Sequence, residues 1–296
     1  QVKEAYETEN KDFDFFDMKN TSAVQKQVLL ENHLISPDLM KKGEGSGALI
    51  SNDKCISIMI NEEDHIRVQT IYGGLQIRKA WEEASKIDDV LEKNIQYAFD
   101  ENWGYLTSCP TNVGTGMRAS VMVHLPALNI SGNINKILQA VVQLGLTIRG
   151  LYGEGTDIVG NIFQISNQIT LGRSEEEIIE NLTAVTNQII EKEKEARNLL
   201  VSNSRVQIED KIWRSWGILK NARMMQGYEC LRLISDIRLG VDLGILPKIP
   251  LGILNEIMIE TQSANIQIKY DYELNVASRD IIRADIVRGK LNGIAV

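Results

Sequence analysis

Cysteines are few in this sequence, and they form no paired motif. Cys55, Cys109 and Cys230 are the only three among 296 residues, and each stands far from the others. Isolated thiols argue against a disulfide framework and favour a reducing compartment, so we expect a cytoplasmic protein. Neither Cys-x-x-Cys nor His-x-x-x-His spacing occurs. The sequence therefore argues against a structural zinc site, and we predict no metal-binding residues.

Long apolar runs and an excess of positive charge are also missing. No stretch approaches the roughly 20 apolar residues of a membrane-spanning helix, and no secretory signal pattern opens the sequence. The formal net charge of -8 disfavours general binding to nucleic acid or to anionic membranes. A hydrophobic content of 43% with 24% charged residues is typical of a soluble globular protein. We therefore expect no direct nucleic-acid or membrane partner.

Hydrophobic periodicity predicts strands mixed with helices up to about residue 200, and helices alone beyond it. Strands are predicted at residues 48–60 (a hairpin), 105–108, 119–125, 146–149 and 160–171. Helices are predicted at residues 75–99, 133–144 and 174–200 and, after a linker at 201–204, at 205–225, 230–239, 251–261 and 278–291. The predicted fold class is α+β, an antiparallel sheet flanked by helices, followed by an all-α C-terminal domain. The predicted domains are residues 1–200 and 204–296.

Residues 105–122 place a cysteine and an arginine on the two sides of a loop that contains proline and glycine. Cys109 ends one apolar run, and Arg118 opens the next. A fixed positive charge stabilises a thiolate and also binds phosphate, so this pair suits anion chemistry. A plain β-hairpin with a buried cysteine and a solvated arginine explains the segment equally well when it is taken alone.

A second polar segment, Asn61-Glu-Glu-Asp-His-Ile-Arg67, directly follows an apolar strand. Its three adjacent carboxylates repel one another, which suits one of them to act as a general base. Arg67 ends the run and is a candidate anion ligand. The alternative is a solvated acidic turn, which is the usual structure of such a run of charged residues.

A glycine-rich loop carries the third candidate, Glu154. Glycines at 150, 153, 155 and 160 surround this carboxylate, as in mobile lids that bring a catalytic group over a substrate. The alternative is a long connecting loop. Neither the P-loop nor the Gly-x-Gly-x-x-Gly pattern is present, and the motifs of ordinary protein kinases are missing.

A fourth candidate lies near the C-terminus, where Arg279 and Arg283 share one face of a predicted helix that Ser278 would cap. Two guanidinium groups near a helix N-terminus can bind a phosphate, and Asp280 can accept from a second guanidinium. The alternative is a surface helix turn with a local salt bridge.

These segments together resemble the ATP:guanido phosphotransferases. The motifs that match in order and spacing are Asn61-Glu-Glu-Asp-His, Ser108-Cys-Pro-Thr-Asn-Val-Gly-Thr-Gly-Met-Arg-Ala-Ser and Arg149-Gly-Leu-Tyr-Gly-Glu-Gly. Within that family, the run Gly160-Asn-Ile-Phe-Gln-Ile-Ser-Asn-Gln, the helical extension and the Arg-Asp-x-x-Arg-Ala motif look like the bacterial protein arginine kinases. The resemblance covers nearly the whole sequence.

The resemblance implies transfer of the γ-phosphoryl group of ATP, with Mg²⁺, to protein arginines, which marks those proteins for regulation or degradation. It implies that Glu63 and Glu154 are catalytic carboxylates and that Cys109 faces the substrate guanidinium as a thiolate. Arg67, Arg118 and Arg149 resemble phosphate-binding arginines. The implied nucleotide site consists of His33, Arg67, Arg118, Ala119, Ser120, Val121, Met122, Arg149, Gly150, Leu151, Tyr152, Gly153 and Glu154. The implied phosphoarginine site consists of Arg279, Asp280 and Arg283.

The resemblance further implies protein substrates, a homodimer, an activator protein, a stress-response repressor and a Clp-type protease as partners. Members of the family also carry an upstream Arg-x-Arg pair that binds the ATP phosphates, but no arginine precedes Arg67 here. We therefore expect the catalytic domain to be N-terminally incomplete. A catalytically impaired scaffold that binds phosphoarginine is the alternative function, and a kinase of free small guanidino compounds is a third.

Overall fold

A computed structural model describes Val2, Glu4 and residues 13–150, 159–292 and 294. The chain forms two compact units whose segments interleave along the sequence. The first unit contains Gln1–Val121, Leu144–Thr147 and Ile165–Thr186, and the second contains Met122–Gln143, Ile148–Gln164 and Asn187–Val296. The predicted domain boundary between residues 200 and 204 stays a prediction.

The first unit is built on a four-stranded antiparallel sheet whose strands follow one another in sequence order. Isoleucine, leucine and methionine dominate the inner strands, as expected where a sheet is buried. Ile50 pairs with Ser57 in the predicted hairpin, and Ile60 pairs with Ile66 in the next. The strands are β1 (Phe13–Asp17), β2 (Gly47–Ser51), β3 (Ile56–Ile60) and β4 (Ile66–Thr70).

Both faces of this sheet are covered, because successive side chains of a strand point to opposite sides. On one face, Ala48, Ile50 and Met59 pack with apolar residues of α1 (Ala23–Glu31) and α2 (Pro37–Lys41). On the other face, Leu49 and Ile58 pack against Ile87 and Leu91 of α3 (Ile77–Glu92). Close packing on both faces makes this sheet a rigid support for the turns at its edge.

Helix α3 ends earlier than the sequence predicts. Its apolar stripe continues in phase through Ile95 and Ala98, but the helix stops at Glu92. The chain then forms β5 (Phe99–Asp100), which pairs with β6 (Gly104–Tyr105). Edge-to-face contacts of Tyr105 with Tyr97 and Phe99 accompany this turn. Aromatic packing between neighbouring segments thus replaces the last predicted helical turn.

A second, three-stranded sheet has the order β7-β9-β8. Its strands are β7 (Ser120–His124), β8 (Leu146–Arg149) and β9 (Ile162–Asn167), and the helices α4 (Pro126–Ile130) and α5 (Ile134–Gln143) lie between β7 and β8 in the sequence. All three strands fall where apolar runs predict them, although β7 and β9 are shorter than predicted.

The long helix α6 (Glu175–Asn221) begins with the predicted capping box. The Glu177 N–H donates to Ser174 Oγ at 3.2 Å, and the Ser174 N–H donates to Glu177 Oε2 at 2.9 Å. The predicted linker at 201–204 lies within this helix, where only Ser204 has non-helical backbone angles. The non-helical backbone of Ser204 divides α6 into two helices joined by a kink, at the place where the sequence predicts a break.

The remaining helices of the second unit are α7 (Gly227–Asp242), α8 (Leu251–Glu260), α9 (Ser263–Gln267) and α10 (Val276–Leu291). Helices α7, α8 and α10 bury one apolar core with the C-terminal part of α6, and this core includes Ile212, Trp216, Ile237, Leu254 and Val287. Trp216 belongs to this core, whereas Trp213 is 42% exposed. No helix in the described part of the chain is long and apolar enough to cross a bilayer. The predicted fold class is confirmed.

Candidate active site

The run of carboxylates forms the tight turn between β3 and β4. Asn61 adopts a positive φ of 55°, a conformation that asparagine tolerates better than most residues. Its N–H donates to the His65 carbonyl at 2.9 Å, and its Oδ1 lies 3.0 Å from His65 Nδ1. These contacts close the hairpin and place Glu62, Glu63 and Asp64 at its tip.

The three carboxylates of this turn have different surroundings. Glu62 is buried, and its Oε1 accepts from Arg67 Nη1 at 3.1 Å. Asp64 accepts the backbone N–H of Ser108 at 2.6 Å. Glu63 is exposed, and its carboxylate forms no hydrogen bond or ion pair with any residue that the structure describes. Glu63 is therefore the carboxylate of this turn that is available to a substrate.

The hydrogen bond between Asp64 and Ser108 joins this turn to the cysteine loop, across 44 residues of sequence. Cys109 follows Ser108, is partly buried and precedes a short 3-10 turn at Pro110–Asn112. Its Sγ lies 3.0 Å from Thr111 Oγ1. The structure thus brings the Glu63 turn and the Cys109 loop together.

The plain β-hairpin interpretation of residues 105–122 is wrong. Strand β6 pairs with β5, whereas β7 lies beside β9 in the other sheet. Gly114 bridges to Tyr105, and its φ of +109° brings it so close to Thr170 that a Cβ would lie 2.5 Å from the Thr170 carbonyl oxygen. Backbone contacts, and not a hairpin, therefore hold the loop that follows Cys109.

Arg118 lies between two residues whose backbone groups bind one buried amide. Asn167 Oδ1 accepts the Ala119 N–H at 2.7 Å, and Asn167 Nδ2 donates to the Met117 carbonyl at 3.0 Å. Arg118 itself is exposed. The sequence analysis includes Asn167 in the run that begins at Gly160 but gives it no role in the site, although a polar residue that ends the apolar strand β9 was the available signal.

His33 and Arg67 are held on the same part of the first unit. Arg67 and Gln69 are two residues apart on β4 and so share a face. Gln69 Nε2 donates to the His33 carbonyl at 2.6 Å, and His33 has a positive φ of 59°. Burial lowers the pKa of the His33 imidazole, so the ring is neutral at pH 7.

The remaining predicted nucleotide-site residues are divided between the units. Ala119 is buried, Ser120 is exposed and Val121 is partly buried at the start of β7 in the first unit. Met122, Arg149 and Gly150 belong to the second unit. Leu151, Tyr152, Gly153 and Glu154 lie outside the described residues, so the placement of Glu154 near Glu63 stays a prediction.

The motif at residues 279–283 lies in the first two turns of α10 in the second unit. The N-cap is Asn275, whose side chain accepts the Ser278 N–H at 2.8 Å, so the prediction that Ser278 caps this helix was wrong. Arg279 is partly buried, and its Nη1 donates to the Leu274 carbonyl at 2.7 Å. The guanidinium of Arg279 is therefore fixed beside the beginning of the helix.

Arg283 is only 3% exposed, so it does not belong to a surface salt bridge. Its Nε donates to the Thr261 carbonyl and its Nη1 to the Met225 carbonyl, both at 2.8 Å. Its Nη1 also forms an ion pair with the Asp280 carboxylate. This guanidinium consequently ties three segments of the second unit together, in addition to any role toward a ligand.

Comparisons with known proteins divide the chain into two matched regions. The family model described as "ATP:guanido phosphotransferase, C-terminal catalytic domain" matches residues 1–196. The model described as "Protein-arginine kinase McsB C-terminal domain" matches residues 205–295. The gap between the two matches contains Ser204, where α6 is kinked.

Curated relatives match over most of the chain. A protein from Halothermothrix orenii named "Protein-arginine kinase" is 51% identical over 278 residues, which are 94% of this chain and 80% of that protein. A protein from Bacillus subtilis with the same name is 50% identical over 275 residues, which are 93% of this chain and 76% of that protein.

Solved structures of other guanidino kinases match part of the chain. Lombricine kinase has a TM-score of 0.57 and 29% identity, over 65% of this chain and 57% of that one. The duplicated taurocyamine kinase from Schistosoma mansoni, with bound transition state analog components, has a TM-score of 0.59 and 25% identity. That match covers 65% of this chain and 28% of the taurocyamine kinase chain.

Proposed function

The chain belongs to the ATP:guanido phosphotransferase family, and from this premise we propose how its residues carry out phosphoryl transfer. It is a protein-arginine kinase, which moves the γ-phosphoryl group of ATP to arginine side chains of proteins. The alternative of a catalytically impaired scaffold finds no support in relatives about 50% identical that are named for kinase activity.

Glu63 is the general base in this proposal. A protonated guanidinium carries no nucleophilic lone pair, so a proton must leave one nitrogen before it attacks phosphorus. The Glu63 carboxylate takes that proton, the nitrogen bonds to the γ-phosphorus, and the bond from the γ-phosphorus to the bridging oxygen breaks to release ADP. The single observation that supports this role is that Glu63 is exposed while its neighbours Glu62 and Asp64 are engaged.

Cys109 is proposed to contact the substrate guanidinium as a thiolate, beside Glu63. An anionic sulfur and a carboxylate on two sides of a planar cation fix its orientation, and orientation supplies much of the rate in phosphoryl transfer. The hydrogen bond from Ser108 to Asp64 supports this proposal, because it holds the Cys109 loop to the Glu63 turn. Glu154 is proposed as the second carboxylate.

The phosphates of ATP are proposed to bind Arg67, Arg118 and Arg149, whose charges offset the negative charge of the transferring group. Glu62 supports the role of Arg67, because their ion pair restricts the guanidinium. His33, residues 119–122 and residues 150–154 are proposed to complete the nucleotide site.

Mg²⁺ is proposed to enter as part of the MgATP substrate. The described residues contain no group of three or more His, Cys, Asp or Glu side chains that could hold a metal ion. Mg²⁺ commonly takes substrate phosphates and water as ligands, so the ATP phosphates are proposed to carry it into the site. Its chemistry there is to offset phosphate charge.

For the second unit, we propose phosphoarginine binding by Arg279, Asp280 and Arg283. The match of residues 205–295 to the C-terminal domain of protein-arginine kinases supports this proposal. We also propose a cytoplasmic homodimer that acts in a stress response, with an activator protein, a repressor and a Clp-type protease as partners. These partners would read or direct arginine phosphorylation.

A comparison of acceptors tests the proposed function. With equal concentrations of free arginine and of arginine within an unfolded protein, we expect ADP formation and phosphoryl transfer with the protein and little with the free amino acid. The measurement is release of ADP together with phosphoarginine content after alkaline digestion. Transfer to free arginine at a similar rate would instead indicate a small-molecule guanidino kinase.

A further inference from the structure

Asn167 forms hydrogen bonds with backbone groups on both sides of Arg118. It ends β9, and only 5% of its surface is exposed. Its Oδ1 accepts the Ala119 N–H at 2.7 Å, and its Nδ2 donates to the carbonyls of Met117 at 3.0 Å and Ile169 at 3.2 Å. Its own backbone N–H donates to the Ala119 carbonyl at 3.2 Å.

The pattern of these contacts requires a carboxamide. One side-chain atom must accept from an N–H while a neighbouring atom donates to two carbonyl oxygens, and asparagine offers both within one short side chain. An aspartate of the same size keeps the acceptor but loses the two N–H donors. An alanine leaves three backbone groups without these partners, and the loss is costliest at the Ala119 N–H, whose contact is buried.

These hydrogen bonds restrict the backbone of Arg118, which lies between Met117 and Ala119. The backbone on its N-terminal side is fixed through the Met117 carbonyl, and that on its C-terminal side is fixed through both polar groups of Ala119. The long Arg118 side chain is exposed. Its Cα is therefore held with little freedom, which lowers the backbone entropy lost when the side chain binds an anion.

We propose that Asn167 is a positioning residue for phosphoryl transfer, which acts by holding the Met117–Ala119 backbone so that Arg118 meets the phosphates of ATP. This inference rests on the proposed role of Arg118. Asn167 itself touches neither substrate in this proposal. Its effect on the reaction must therefore pass through the arginine that it positions.

A double-mutant cycle on the full chain tests this inference. We expect Arg118→Ala to lower kcat/KM for ATP about 1,000-fold, as for loss of one preorganised charge contact. We expect Asn167→Ala to lower it about 100-fold, as for a small misplacement of a reacting group. If the two effects were independent, the losses of kcat/KM would multiply in the double variant. If Asn167 acts through Arg118, we expect the kcat/KM of the double variant to lie within about threefold of that of Arg118→Ala alone.

Each outcome has a distinct meaning. If Arg118→Ala lowers kcat/KM but Asn167→Ala does not, only the role of Asn167 is overturned. If Arg118→Ala has no effect, the proposed phosphate contact fails and the inference fails with it. A double variant whose loss is the product of the single losses would show that Asn167 acts elsewhere.

Two further variants separate positioning from general stability. Ile165→Val shortens a buried side chain on the same strand, so it lowers stability modestly, and we expect unchanged kcat/KM for ATP. If the alanine variant does not fold, Asn167→Asp replaces it in the same measurement, because aspartate keeps the size and the acceptor of asparagine but removes the donors. Equal losses of kcat/KM in Ile165→Val and in the Asn167 variants would show that Asn167 affects the reaction only through stability of the fold.

Discussion

Replacing Glu63 with glutamine should lower kcat for arginine phosphorylation by about 100-fold to 10,000-fold. Glutamine keeps the size and the hydrogen-bonding oxygen of the side chain but cannot take a proton from the substrate guanidinium. The fold should remain intact, because Glu63 is exposed and its carboxylate bonds to no described residue. Steady-state kinetics with saturating ATP measure kcat, and the thermal midpoint Tm shows whether the fold is retained.

The matched control is Glu44→Gln, which removes the same charge from another exposed position in the first unit. Glu44 is 82% exposed and forms a surface ion pair with Lys19, a type of contact that contributes little to stability. We expect wild-type kcat for this variant. A loss of less than tenfold in Glu63→Gln would contradict the assignment of Glu63 as general base.

Replacing Arg283 with methionine should lower the free energy of unfolding of the second unit by about 3–5 kcal/mol, as when one partner of a buried ion pair is removed. Asp280 would keep a charge in a largely buried place without its partner, and the carbonyls of Thr261 and Met225 would lose their donor. Denaturant unfolding followed at the buried Trp216 reports on this unit.

Arg279→Met is the control for this prediction, because it changes the neighbouring arginine of the same motif. Arg279 is more exposed and donates one described hydrogen bond, to the Leu274 carbonyl, so its loss should cost about 1 kcal/mol. Equal destabilisation by the two variants would show that Arg283 is not the structural member of the pair.

Motif order and spacing were enough to predict the family, the fold class and the proximity of Glu63 to Cys109. They were not enough to tell the three carboxylates of the β3–β4 turn apart. Glu62, Glu63 and Asp64 look alike in the sequence, and only the closed hairpin determines which one is buried, which one is exposed and which one meets Ser108. The acceptor of Ser108 is separated from it by 44 residues, beyond the reach of any local pattern.

The same limit explains why the sequence did not reveal the burial of Arg283 or the end of α3. Periodicity places Arg279 and Arg283 on one helix face, but the burial of that face depends on Met225 and Thr261, which come from distant parts of the chain. The end of α3 at Glu92 depends on pairing between β5 and β6, and continuation of the apolar stripe could not reveal it. The role of Asn167 could not be predicted because its partners, Met117 and Ala119, lie far upstream.

The formation of a phosphorus–nitrogen bond on a protein arginine is the central expectation for this chain. The direct measurement uses ATP radiolabelled at the γ-phosphate, an arginine-containing protein, digestion without acid and mass spectrometry of the labelled peptides. We expect the label on arginine, stable to base and lost in mild acid, and strongly reduced with the Glu63→Gln enzyme. Label only on serine, threonine or tyrosine, or release of phosphate to water without transfer to protein, would contradict the assignment.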